Sequence, residues 1–281
     1  MRDLIYDVGM HHGHDTGFYL AKGFNVVAVE ANPKLAQKNR ERFAAEIGAK
    51  RLHLLNLAIA EREGPVTFWA NDQNDDWSTI SEAFLRRNEQ AGTTSTSIVV
   101  QGKPLQQILD EYGTPYYLKI DIEGSDTLCL RALKDRELPQ YVSVEADFTT
   151  TDTLFEQLST LWTLGFRKFK ILNQACNRWT RCPRPALEGK YVQTTFGLYS
   201  SGLFGEETPG KWLSAAEMLG EAKPMIWEQR MFGFQAPHSR SVPGRAYIAM
   251  RRVMRKPVAW YDIHATVERK TQIRPTEQLA A

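Results

Sequence analysis

Short, nearly continuous apolar runs recur along the first 172 residues, each followed by a stretch with helical spacing. The runs at 4–8, 25–30, 52–60, 116–122, 141–145 and 167–172 predict strands, and residues 258–264 predict one more. Between them, residues 16–22, 33–47, 104–112, 125–133 and 151–164 predict helices. Asn32-Pro33 is a start signal for one of these, and Gly23 and Gly48 are stop signals. Strands alternating with helices imply an α/β fold: a parallel sheet buried on both faces, which is why its strands are apolar throughout. Two weaker strands, 66–70 and 98–101, are expected as additions at the sheet edge, and polar residues 71–96 as a surface excursion around Trp77.

The pattern lapses near Asn173. Residues 174–256, rich in Gly, Pro and Trp, are expected to be an irregular insertion or lid within the same domain. The expected organisation is a core over 1–173, the insertion over 174–256, a last core strand within 257–267 and a flexible tail over 268–281.

Composition narrows the function classes. No stretch is apolar enough for a membrane span, and Met1-Arg2-Asp3 leads straight into a strand, so a cytoplasmic protein is expected. Cys129, Cys176 and Cys182 are too few and too scattered for a disulfide framework or a zinc site, and are expected to be ordinary thiols. The net charge is +2, but residues 245–281 hold 8 Lys/Arg against 3 Asp/Glu. No basic run there interleaves with aromatic residues as a stacking platform requires, so neither a nucleic-acid nor a membrane partner is expected.

Candidate chemistry begins with the stretch DVGMHHGHDT at residues 7–16. Its histidines suggest a metal site, and His12 and His14 have the spacing of a His-x-His-x-Asp-His hydrolase motif, but Asp15 follows His14 directly and no histidine comes next. The loop reading is stronger, because a strand, then Gly9 and Gly13, then a helix lets backbone approach a ligand at the carboxyl end of a sheet. The dinucleotide fingerprint would need glycine at 11 and 14, which are both histidine, so an NAD-dependent oxidoreductase is disfavoured. A sulfonium cofactor tolerates the bulkier loop and gains from the Asp7 carboxylate. Glu30, ending the second strand, can accept hydrogen bonds from both ribose hydroxyls of an adenosine.

Three segments resemble the FkbM family of S-adenosylmethionine-dependent methyltransferases. YDVGMHHGHDT followed by VVAVEANP is similar to the family's cofactor loop and acidic strand end. NLAIAEREGPVTFW, residues 56–69, is similar to its Asn-x-Ala stretch. YLKIDIEGSDTLCLRAL, residues 117–133, is similar to its Leu-Lys-Ile-Asp-Val-Glu-Gly signature. The resemblance implies a class I methyltransferase fold, a Rossmann-like seven-stranded and mostly parallel sheet. It implies cofactor contacts from Asp7, Gly9, Met10, Gly13, Asp15 and Thr16 in the first segment. Glu30, Ala31, Asn56, Ala58 and Asp121 complete them. The chain departs from the family at Met10-His11-His12, where Ala-Asn is common, and residues 174–256 match no general family motif.

Asp121, Glu123, Glu145 and Asp147 stand two apart at the ends of neighbouring strands, so each pair shares a face at the rim. Asp121, Glu123 or Glu145 could act as general base towards a hydroxyl, or the group could hold Mg²⁺, or Lys119 and nearby arginines could neutralise them as structural pairs. His264 is a further candidate base. The expected reaction is O-methylation of a hydroxyl on a sugar or other small natural product. A non-catalytic adenosine-ligand binder and a nucleic-acid methyltransferase are the remaining alternatives.

Overall fold

The computed structural model describes residues 3–197, 200–233 and 236–268. The seven strands expected from the apolar runs form one sheet: β1 (Leu4–Val8), β2 (Asn25–Val29), β3 (Leu52–Leu55), β7 (Tyr117–Ile120), β8 (Tyr141–Glu145), β9 (Lys168–Asn173) and β10 (Tyr261–Thr266). Their order is β3-β2-β1-β7-β8-β10-β9, parallel except for β10, which runs antiparallel to both neighbours. This is an α/β, Rossmann-like architecture. The chain reverses its direction of winding between β1 and β7, where open sheets of this kind bind ligands.

Two cores follow from the period-2 alternation. Tyr6, Val8, Leu118, Ile120, Val142, Val144 and Ile263 point to one face, under α5 (Leu105–Tyr112), α6 (Asp126–Arg131) and α7 (Thr151–Leu164). Ile5, Val26, Ala28, Tyr117 and Tyr141 point to the other, under α1 (His14–Ala21). Register makes that second face partly polar. Asp7 lies opposite Lys119, Lys119 opposite Ser143, Ser143 opposite His264 and His264 opposite Lys170, so one row of hydrophilic side chains crosses five strands.

Four expectations change. The run 52–60 is interrupted after Leu55, and Ala58–Ile59 forms β4 in a different sheet. The weak strands become β5 (Gly64–Asn71) and β6 (Ser95–Lys103). They are not edge additions but form, with β4, a separate three-stranded sheet in the order β4-β6-β5. The excursion contains α4 (Glu82–Gln90), whose only buried residue is Asn88. The helix expected over 33–47 breaks at Phe43 into α2 (Pro33–Arg42) and α3 (Ala44–Gly48).

The region after Asn173 is more regular than expected. It holds α8 (Ala215–Phe232), capped by Ser214 and Glu217, and α9 (Val242–Val253), capped by Ser241. Gly220 and Pro224 lie inside α8, which masks its periodic signature, and Gly244 is the one buried residue of α9. Residues 187–197 and 200–208 are clasped to the polar face. Lys22 Nζ lies 2.9 Å from Glu207 Oε2 with both side chains fully buried, and Phe204 stacks on Tyr117 at 4.9 Å. Among the described residues no helix is long and apolar enough to cross a membrane, and the three cysteines are free thiols. The tail expected beyond residue 268 lies outside the described residues.

Candidate active site

The carboxyl ends of β1, β2 and β7 meet around the loop 9–13. Gly9 has φ 90°, and a Cβ there would stand 1.8 Å from the Asp121 carbonyl oxygen, so only glycine lets the two strand ends close up. The amide groups of Gly9 and Met10 both donate to the Val29 carbonyl, at 3.0 and 2.9 Å, turning the loop towards β2. Gly13, at φ 72°, is the N-cap of α1, and a Cβ there would stand 2.6 Å from Asn39 Oδ1. Met10 and Thr16 are buried beneath this turn.

Glu30 ends β2 facing the loop. The His11 amide donates to its Oε2 and the Asn32 amide to its Oε1, both at 2.7 Å. Asn56 Nδ2 donates to the carbonyls of Glu30 and Ala31, at 2.8 and 3.3 Å, fixing the strand end from the far side. Burial pushes the Glu30 carboxyl up to about 7, against the lowering influence of its two amide donors. Ala58 is placed differently. It is buried in the small sheet, paired with Gly102.

Beneath the loop lies a buried ionic cluster. Thr16 Oγ1 donates to Asp7 Oδ2 at 2.6 Å, and Lys119 Nζ donates to Asp7 Oδ1 at 3.0 Å and to the Gly9 carbonyl at 3.1 Å. Lys119 also lies 3.3 Å from Asp121 Oδ2 and 3.7 Å from Asp15 Oδ2. Burial opposes charge on the ammonium, but Asp7, Asp121 and Asp15 together hold it protonated well above its ordinary range. Asp15 faces the insertion, accepting from Ser200 Oγ at 2.7 Å and the Ser201 amide at 3.0 Å. Lys119 thus ties four of the expected cofactor residues together, Asp7, Gly9, Asp15 and Asp121.

The rim acids form a second cluster. Asp121 is half exposed, while Glu123 takes a left-handed backbone, φ 46°, and meets Arg87 at 3.2 Å. Thr79 Oγ1 donates to the Glu123 carbonyl at 2.7 Å. The excursion expected at the surface around Trp77 therefore reaches the rim through both Thr79 and Arg87. Register places Glu145 opposite Asp262, and burial together with Asp126 and Asp121 pushes Glu145 up to about 8. Burial is also the main cause that raises Glu123, Asp262 and, to about 6, Asp126. His264 lies one register step deeper than Asp262. It is 1% exposed, and burial beside Lys170 lowers it to about 3.

Nothing in the described residues supports a magnesium ion at the rim carboxylates. Among the described residues, three ligating atoms from different side chains come within 4.8 Å of one another at His11, His12 and Asp75, not at Asp121, Glu123, Glu145 or Asp147. Arg87 and Lys119 occupy the positions beside the acids where a cation would serve.

The acids make stability depend on pH. Glu145 titrates near 8 in the fold against 4.5 for an ordinary glutamate, so between these values the folded protein holds a proton that the unfolded chain has lost. Stability from this group is therefore present at low pH and is lost as pH rises towards 8. A thermal scan series is expected to show Tm falling from pH 5.5 to 8.5, and Glu145→Gln is expected to reduce that fall by about 5 °C. An unchanged slope in the variant would remove Glu145 from the titrating cluster.

A family model described as the methyltransferase FkbM domain matches residues 7–168, more than half of the chain. The chain belongs to the FkbM methyltransferase family. Solved structures with a similar fold include methyltransferase FkbM from Methylobacillus flagellatus KT, at 17% identity and a TM-score of 0.40. That match covers 61% of this chain and 40% of the other, so this chain spans less than half of its length. The C-terminal domain of precorrin-6Y C5,15-methyltransferase from Rhodobacter capsulatus is similar at 11% identity and a TM-score of 0.35, covering 61% and 66% of the two chains. Haemonchus contortus phosphoethanolamine N-methyltransferase 2, solved in complex with S-adenosyl-L-methionine, is similar at 11% identity and a TM-score of 0.33, covering 95% and 49%. No curated protein matches the chain.

Sequence reasoning missed Asp75, Arg87 and Asp126 as neighbours of the site and underrated Lys119. Asp75 and Arg87 come from the polar excursion, which lacks periodicity. Lys119 and Asp126 lie inside the quoted signature, where a lysine opposite Asp7 in register was the available clue.

Proposed function

We propose that the protein is an S-adenosylmethionine-dependent methyltransferase that methylates a hydroxyl group of a sugar or another small natural product. The observation that carries the cofactor assignment is Glu30. It is a buried strand-end carboxylate whose orientation is set by two backbone donors, facing a loop that glycine alone allows to close against Asp121. Each carboxylate oxygen keeps a further lone pair for a ribose hydroxyl. Gly9, Met10 and Gly13 would border the adenosyl group, and Asp121 would stand near its charged end. The bound cofactor supplies a methyl group on a sulfonium, already an activated donor.

The chain's own task is then to align the acceptor and take its proton. Orientation can contribute about 7–11 kcal/mol in favourable cases. Glu145, pushed up to about 8 at the rim shared with Asp121 and Glu123, has basicity suited to a hydroxyl proton near neutral pH. This favours an oxygen acceptor, with Glu145 ahead of Asp121, Glu123 and the buried His264. Incubation with methyl-labelled cofactor and a panel of sugars and natural-product alcohols is expected to label a hydroxyl. Glu145→Gln should lower turnover by about 10²–10⁴-fold while leaving cofactor affinity nearly unchanged. Label found on amines or carbon and on no hydroxyl would overturn the oxygen assignment.

A further inference from the structure

We propose that His11, His12 and Asp75 form a binding site for one divalent transition-metal ion of the zinc or cobalt type. His11 Nε2 lies 2.9 Å from Asp75 Oδ1, and His12 Nε2 lies 3.1 Å from Asp75 Oδ2. Two imidazoles therefore approach one carboxylate, each at a different oxygen, with ring centroids only 4.0 Å apart. One donor atom from each residue falls within 4.8 Å of the other two. Ligands about 2.0–2.2 Å from a common ion have spacings of this order.

Consecutive side chains do not ordinarily converge on a point. Here His11 has φ 51°, a left-handed conformation rare for a residue with a Cβ, and this turn brings the neighbouring rings together. Both carriers of the ligands are held in place. Asn39 Nδ2 donates to the His11 carbonyl at 2.6 Å and Arg42 to the His12 carbonyl at 2.8 Å, pinning the loop to α2. On the other side the Ser78 hydroxyl donates to the Asp75 carbonyl at 2.8 Å, closing the turn that begins with Asp75.

The donor set selects the metal. Imidazole nitrogen suits zinc, cobalt, nickel and copper, whereas magnesium and calcium take oxygen. Three protein ligands leave at least one coordination position, and the Asp75 side chain is 42% exposed, so that position faces solvent. The early histidines, which fail as a two-metal hydrolase motif, thus gain their third ligand from a segment 64 residues away. An ion here would tie the loop that donates to Glu30 to the segment at 75–77. The site stands on its own residues and does not depend on the methyltransferase reading.

The test is metal binding by the full-length protein after chelator treatment and desalting. Titration with Zn²⁺ by calorimetry is expected to show one site with a micromolar or tighter Kd. Co²⁺ is expected to give visible absorption, and Mg²⁺ no heat. His12→Ala and Asp75→Asn are each expected to weaken Zn²⁺ binding at least tenfold. His12 and Asp75 are both partly exposed, so Tm without metal should stay close to that of the parent. Asp75→Asn also keeps a hydrogen-bond acceptor for the rings, which separates metal ligation from a merely hydrogen-bonded trio. Failure of Zn²⁺ to bind, or binding that neither variant weakens, would overturn the proposal.

Discussion

Lys119→Met is expected to destabilise the protein more than any other single change at the site, by about 3–5 kcal/mol. Lys119 is 3% exposed, and its ammonium lies within 4 Å of Asp7, Asp15 and Asp121. Asp7 is itself fully buried, so removing its cation leaves a carboxylate that water does not reach and that Thr16 alone bonds. Methionine keeps most of the side-chain volume, so the loss is electrostatic rather than a cavity. For a chain of 281 residues the loss corresponds to a Tm drop of about 6–15 °C. The double variant Lys119→Met with Asp7→Asn should recover part of it, because the orphaned charge is gone. A drop of under 2 °C for the single variant would mean that the buried carboxyl is already neutral.

Glu30→Ala is expected to abolish measurable cofactor binding while the fold persists. Two hydrogen bonds from ribose hydroxyls to a carboxylate are worth about 1.5–3 kcal/mol each, so affinity should fall by about 10²–10⁴-fold. The variant also removes a buried carboxyl that burial has pushed up to about 7, so the unliganded protein should lose little stability at pH 8. Calorimetry and a thermal scan on the same sample separate the two effects. Loss of binding together with a collapsed Tm would assign Glu30 a structural role through the amide groups of His11 and Asn32.

The contrast between these two residues shows what could be read in the chain. Glu30 was legible because it closes an apolar run and precedes Asn32-Pro33, both local features. The seven main strands were legible for the same reason, since a sheet buried on both faces demands unbroken apolar runs. Lys119 was legible only as a neutralising partner of the rim acids, and it does lie 3.3 Å from Asp121. Its meaning comes from lying opposite Asp7, 112 residues away, a pairing set by strand register. The acceptance by Asp15 of bonds from Ser200 and Ser201, and the approach of Asp75 to His11, likewise span distances at which pattern carries no signal. The helices α8 and α9 escaped for a different reason. One holds glycine and proline, which read as breaks, and the other begins with Pro243-Gly244 inside a stretch rich in Gly, Pro and Trp that reads as irregular.

The crevice at the ends of β1 and β2 is expected to bind an adenosyl sulfonium. Calorimetric titration of the unliganded protein with S-adenosylmethionine, S-adenosylhomocysteine and NAD tests this directly. One site for each of the first two compounds, no heat with NAD, and loss of both signals in Glu30→Ala are the predicted results. Binding of NAD without binding of either sulfur compound would contradict it.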